Sequence, residues 1–151
     1  MIPAKTQVAA QPGWFTMDPE APALLGSRCR QCGSIAFPAE TAWCRNPDCQ
    51  GTEFDSSPLS RVGQIWSYTD ARYQPPDPYV PPDPYEPFCI AAVVLTEEKM
   101  VVLGQVVRGV EASQLSIGDE VELVLETLYE DDEHEYLVWK WRPLPPKDSR
   151  A

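Results

Sequence analysis

At 151 residues with a hydrophobic fraction of 43%, the chain can hold one ordinary domain, or a small metal module plus a second compact domain. Twelve basic residues against twenty-three acidic ones leave a formal net charge of −11, a field that repels phosphate backbones and argues against nucleic-acid binding. No apolar run is long enough to cross a bilayer, and Met1 to Ala10 lacks the apolar stretch of a secretory signal, so no membrane and a cytoplasmic, reducing setting are expected.

In chain order, residues 1–17 carry Pro3, Pro12 and Gly13 without a sustained period, and they read as a tail or linker. Trp14 and Phe15 stand out in it, as side chains that would fold back onto the body or dock on a partner. Asp18-Pro19-Glu20 has the form of a helix start: a capping acid, proline at the first helical position and an acid in the first turn. Leu24-Leu25 would end that short helix, and Gly26 would stop it.

Four of the five cysteines fall in two close pairs, Cys29-Arg30-Gln31-Cys32 and Cys44-Arg45-Asn46-Pro47-Asp48-Cys49. Each pair can grip one ion from a turn, and together they make a tetrahedral thiolate cage, which reads as a structural zinc ribbon holding one Zn²⁺ over residues 18–58. Gly33 lets the chain turn sharply after the first pair. Iron is the alternative metal. Two disulfides would need an oxidising compartment, and a redox Cys-x-x-Cys would leave Cys44 and Cys49 without a role. With four sulfurs on the metal no position stays open for substrate, so the metal staples and does not catalyse. Ser34 to Pro38 reads as a strand leaving the first knuckle, Ala42-Trp43-Cys44 as the return, and Phe37, Trp43 and Phe54 as the module's apolar packing.

From residue 59 to 146 the pattern is that of strands. Gly63 to Thr69 is β-branched and aromatic, Cys89 to Leu95 is a nearly continuous apolar run, and Met100 to Val107 returns from it across the polar turn Glu97-Glu98-Lys99. Val121, Leu123 and Leu125 alternate with glutamates, and Tyr136 to Arg142 follows the acidic tip Glu130 to Glu135. Five short strands with one helical turn near Ser113 to Leu115 fit an OB-type barrel, with a sandwich as the alternative. The fold class expected is therefore mainly β: short N-terminal helix, zinc ribbon, five-stranded OB-fold barrel, and a terminal tail at 147–151.

Between the first two barrel strands, in the loop 72–88, residues 75–79 read Pro-Pro-Asp-Pro-Tyr and residues 81–85 repeat them. Such proline density favours an extended loop with little entropy left to lose on binding. Tyr73, Tyr79, Tyr85 and Phe88 on this loop, with Trp66 on the strand before it, are the candidate partner- or ligand-binding residues. A loop that packs its tyrosines on its own barrel is the plainer alternative. No catalytic constellation assembles. His134, the single histidine, sits in an acidic turn, and Cys89 heads an apolar strand as a small hydrophobe.

The order of these motifs resembles one family. A short helix, Cys29-x-x-Cys32-Gly33 followed by Phe37-Pro38, then Gly63-Gln64-Ile65-Trp66-Ser67-Tyr68-Thr69, the Ser116 to Val121 turn and Trp139-Lys140-Trp141-Arg142-Pro143 together resemble the domain of unknown function 35 family, over roughly residues 18–145. The resemblance implies a rubredoxin-like zinc ribbon joined to an OB-fold, acting as accessory subunit to thiolase-superfamily enzymes of acyl-CoA thioesters. It implies a hetero-oligomer with a thiolase-like (lipid-transfer-protein-like) aldolase that cleaves a β-hydroxy steroid acyl-CoA in side-chain degradation, with residues 1–16 resembling the linker from an enoyl-CoA hydratase domain. This sequence departs from the family in the four-residue spacer between Cys44 and Cys49 and in its longer proline loop. The readings of other classes are a single-stranded nucleic-acid module, since ribbons and OB-folds both serve there, and a free-standing acyl-CoA-binding protein.

Overall fold

The computed structural model describes residues 4–145; the expected tail at 147–151 lies outside the described residues. Nine strands are found there: β1 (Thr6–Ala9), β2 (Leu25–Cys29), β3 (Ile35–Ala36), β4 (Phe54–Pro58), β5 (Val62–Ala71), β6 (Phe88–Leu95), β7 (Met100–Val106), β8 (Glu120–Glu130) and β9 (His134–Pro143). A 3₁₀ turn at Ala112–Gln114 precedes β8, where the sequence suggests a helical turn.

Side-chain alternation decides the barrel. On β6, Cys89, Ala91, Val93 and Leu95 point inward and are buried; Val121 and Leu123 do the same on β8, and Val102 and Val106 on β7. With one apolar face per strand, the sheet hides it by closing on itself. Strands pair in the order β5-β6-β7-β9-β8, and β8 returns to β5 through Val62↔Glu122 to Gln64↔Glu120. The β7–β9 contact is short and parallel, at Gln105↔Lys140 and Val106↔Trp141; the other barrel pairings are antiparallel. This is the five-stranded OB topology. Trp141, fully buried, fills its centre.

The N-terminal helix is not there, and no α-helix occurs among the described residues. Asp18 does accept capping hydrogen bonds, from the backbone N–H groups of Glu20 (3.0 Å) and Ala21 (3.4 Å). Yet Pro19 and Pro22 remove two donors from a segment of barely two turns, too short to offset the cost of helix nucleation. The flanking residues pair instead. Thr16 N–H donates to Ala23 O, Leu25 N–H to Trp14 O, and Phe15 bridges Leu24, so residues 14–16 and 23–25 run antiparallel around a proline turn. Both Phe15 and Leu24 end in the core.

Within the segment expected to be a tail, β1 pairs in parallel with β9, from Thr6↔His134 to Ala9↔Leu137. It occupies the part of β9 that β7 does not reach. Ser56-Ser57-Pro58, at the C-terminal end of the segment 18–58 expected to form the ribbon, lies in β4, which flanks β2 opposite β3 in a separate three-stranded sheet.

One ion pair is set deep in the barrel wall. Lys140, its side chain 3% exposed, donates to Glu126 Oε1 at 2.8 Å, and the backbone N–H of Arg108 donates to the same oxygen at 3.0 Å. Removing one partner of a buried pair leaves a charge stranded, whereas a well-packed apolar replacement of that charge does not. Glu126→Leu is therefore expected to cost about 3–5 kcal/mol in urea unfolding, and Lys140→Met to stay within about 1–2 kcal/mol of the parent.

Candidate metal centre

The ribbon brings Cys29, Cys32, Cys44 and Cys49 together, with all four sulfurs within 4.8 Å of one another. Cys29 ends β2 and is buried; Cys32 is exposed on the knuckle that follows, and Cys44 and Cys49 are half-buried on the second knuckle. The sulfur pairs Cys29–Cys49 and Cys32–Cys44 lie 3.8 and 3.5 Å apart. A tetrahedral zinc with bonds of about 2.3 Å places its sulfurs about 3.8 Å from each other, so the donor set and its size both fit Zn²⁺.

The backbone around the sulfurs is built to accept negative charge. The N–H of Gln31 donates to Cys29 Sγ at 3.4 Å, and that of Gly51 to Cys49 Sγ at 3.3 Å. Each knuckle closes on its own backbone: Gly33 N–H donates to Cys29 O, Cys29 N–H to Ser34 O, and Cys44 N–H to Gly51 O. In the four-residue spacer, Asn46 supplies the extra closure, its carbonyl taking the N–H of Cys49 and its side chain that of Asp48. Gly51 is the tightest point, since a Cβ there would stand 2.7 Å from Cys29 Sγ. Gly51→Ala is expected to weaken zinc at least about tenfold, scored by competition with a chromogenic chelator.

Protonation follows the same geometry. The Ser34 hydroxyl, 3.0 Å from Cys32 Sγ, and the Ser34 backbone N–H draw that thiol down to about 6. Cys29 is lowered by the backbone N–H of Cys32, against the effect of burial. At Cys44 the N–H of Asn46 pulls downward, but burial and the three neighbouring sulfurs outweigh it and push the thiol up to about 12; Cys49 is raised as well. Two thiols thus give up protons early and two hold them, as expected of four sulfurs sharing one space. A dication takes the place of those protons. With four protein sulfurs around it, the zinc is structural: it fixes the knuckles and leaves no position for a reacting group.

Trp43 does not pack the ribbon as the sequence suggests; it is 72% exposed beside Cys44. Phe37 turns toward the barrel, with its ring 5.7 Å from Trp14 and 6.0 Å from Trp139. Trp14 stacks on Trp139 at 6.1 Å, and Phe15 meets the same indole edge-on at 5.8 Å. Four aromatic rings from the N-terminal segment, the ribbon and the barrel thus form one cluster. A long loop and metal knuckles gave the sequence no period that would predict it.

The loop candidates divide. Tyr85 donates its hydroxyl to the Ala71 carbonyl at 2.6 Å and to Tyr73 O at 3.2 Å, tying the far end of the proline loop to its start. Tyr79 stacks on Phe88, with centroids 5.5 Å apart. Tyr73, 91% exposed, and Trp66, 62% exposed, face solvent and do not join the other three. Beneath the loop lies a cavity of about 240 Å³, lined among others by Tyr79, Phe88, Cys89, Arg108 and Lys140. Cys89 is buried, its thiol pushed up by that burial and set 3.5 Å from the carbonyl of Val110. His134 sits at the β8–β9 tip, where its backbone N–H and that of Glu133 donate to Asp131.

Residues 19–55 match the family described as "ChsH2, rubredoxin-like zinc ribbon domain", and residues 56–126 match "ChsH2, C-terminal OB-fold domain". Over 124 residues the chain is 31% identical to the "DUF35 domain-containing scaffold protein" of Methanocaldococcus jannaschii, covering 80% of this chain and 82% of that one. It is 45% identical over 53 residues to the "Benzoylsuccinyl-CoA thiolase subunit BbsA" of Thauera aromatica, a match that spans 35% of each protein. Among solved structures, the "Ltp2-ChsH2(DUF35) aldolase" superposes with a TM-score of 0.61 at 26% identity, over 80% of this chain and 84% of that one. With the ribbon and the barrel both matched in order, the chain belongs to the DUF35 family, a zinc ribbon joined to an OB-fold.

Proposed function

We propose that this chain is the accessory, scaffolding subunit of a thiolase-like enzyme, and in particular that it binds and activates a thiolase-like aldolase acting on a β-hydroxy steroid acyl-CoA. The observation that carries the reading is the likeness, over four fifths of both chains, to the DUF35 component of a solved aldolase. The similarity of 53 residues to a thiolase subunit points the same way. In the retro-aldol step the β-hydroxyl loses its proton, the Cα–Cβ bond breaks and its electron pair passes to the thioester enolate. The partner subunit carries that chemistry. This chain contributes a rigid, metal-stapled body, and its cavity beneath the proline loop contributes to the acyl-CoA pocket, with buried Lys140 beside an aromatic wall of Tyr79 and Phe88.

The test is affinity capture of the full chain from its host with mass spectrometry of the retained proteins, followed by turnover assays of each subunit alone and together. Stoichiometric recovery of a thiolase-like subunit, with carbon–carbon cleavage that needs both proteins, is the expected result. Absence of association overturns the reading. A salt-sensitive shift of single-stranded oligonucleotides would instead favour the nucleic-acid class.

A further inference from the structure

The barrel wears two different coats. Across β8 and β9 the outer surface is charged, with ion pairs between Glu122 and Arg142 and between Glu130 and Lys5 of the segment before β1. Across β5, β6 and β7 it is not. By strand alternation two cross-strand rows lie on the outer side there: Gln64, Val94 and Val101 in one, and Ser67, Ala92 and Leu103 in the other, with Ala92 itself buried. None of the six carries a charge, in a protein whose residues are 23% charged. Leu103 is 63% exposed and Val101 47%. Between the rows the register of β5 slips, and the extra residue is Trp66, which the bulge leaves in solvent. Ile117, 73% exposed, borders the same strand, because the N–H of Gly118 donates to Ile65 O and that of Ile65 to Asp119 O. A contiguous uncharged, largely apolar sheet face on a soluble body marks a place where another surface belongs.

Charge selects the occupant. A second copy would bring together two bodies of net charge −11, and nucleic acid or anionic lipid would meet the same repulsion without a single cation on the face to offset it. What fits is an apolar patch on a different, less acidic protein. We propose that the outer face of β5–β7, centred on Trp66 and Leu103, is the surface on which the thiolase-like subunit docks; this rests on the function proposed above. Trp66 is the anchor, because a large rigid indole set between two uncharged cross-strand rows is the type of side chain that concentrates binding energy. The strand that carries Leu103 is held ready: Trp139 Nε1–H donates to the Leu103 carbonyl at 3.1 Å, and Trp139 is itself packed by Trp14 and Phe37. A face already held in place loses little freedom on docking.

The test measures association of the full, zinc-loaded chain with its captured thiolase-like subunit by calorimetry or size-exclusion co-elution. Leu103→Glu and Trp66→Glu are each expected to weaken binding about 30-fold or more, and the double variant to abolish co-elution. Both side chains lie in solvent, so zinc content and the thermal transition should match the parent. Tyr73→Glu on the proline loop, where the side chain is equally exposed, is expected to bind as the parent does. Parent-like binding by both face variants, or loss of binding by Tyr73→Glu alone, overturns the docking face and leaves the accessory function standing. A parent chain that binds no thiolase-like subunit overturns both. A parent that is dimeric by itself and becomes monomeric on Leu103→Glu assigns the face to a second copy and overturns the proposal as well.

Discussion

Replacing Cys29 with serine is expected to empty the zinc site and unfold the ribbon, with zinc falling from about one ion per chain toward none by elemental analysis. Cys29 is the buried member of the set, it ends the central strand of the ribbon sheet, and its backbone pairs with Phe54 on β4. The ribbon sheet is small, two of its strands being only five residues and the third two. Little apolar surface is available to hold such a sheet, so metal binding supplies most of its folding free energy, apparent values for sites of this kind being about 10–16 kcal/mol at neutral pH. The parent chain stripped with a strong chelator should behave like the variant, and zinc should restore only the parent. Acid should do the same by competition: zinc holds thiolates, protons hold thiols, and affinity therefore falls as pH falls. Retention of a full equivalent of zinc by Cys29→Ser would remove the tetrathiolate assignment.

Trp141→Ala is expected to destabilise the barrel by about 3–5 kcal/mol in chemical denaturation, a large fraction of the stability of a domain this size. The indole is fully buried, pairs with Leu123 on one neighbouring strand and with Val106 on the other, and spans the centre of the closed sheet. Its buried N–H makes no hydrogen bond, so Trp141→Phe removes an unsatisfied donor as well as volume and should cost distinctly less than the alanine change. An equal loss for both would show that a phenyl ring recovers none of the indole's packing, and would overturn this account.

The barrel was legible because alternation is a local property. Val121, Leu123 and Leu125 between glutamates, and the apolar run through Leu95, can be read without knowing their partners. The cysteine spacing was legible for a chemical reason, since a chelating pair needs its sulfurs near each other along the chain. What failed was the part decided at long range. Asp18-Pro19-Glu20 does cap locally, but Leu24 has a better offer from Phe15 and a closed core, and pairing won over helix. β1 has no signature of its own because its edge is provided by residues 134–137, more than a hundred positions away. Trp66 and Leu103 are separate on the sequence and become neighbours only through the register of β5, β6 and β7. Of the proline-loop tyrosines, Tyr85 and Tyr79 are used inside the protein, a distinction that composition does not carry.

The cluster of Trp14, Phe15, Phe37 and Trp139 has a thermodynamic consequence. Its members come from three stretches of chain that a boundary drawn near residue 58 would assign to different modules, yet none of the four rings can be withdrawn without opening the others to water. Ribbon and barrel are then a single cooperative folding unit, in which the free energy of metal binding is felt across the boundary. Heating the zinc-loaded protein should give one transition seen alike by far-ultraviolet circular dichroism and tryptophan emission, shifted as a whole by zinc concentration, and a fragment cut at residue 59 should melt lower than the barrel does within the intact chain.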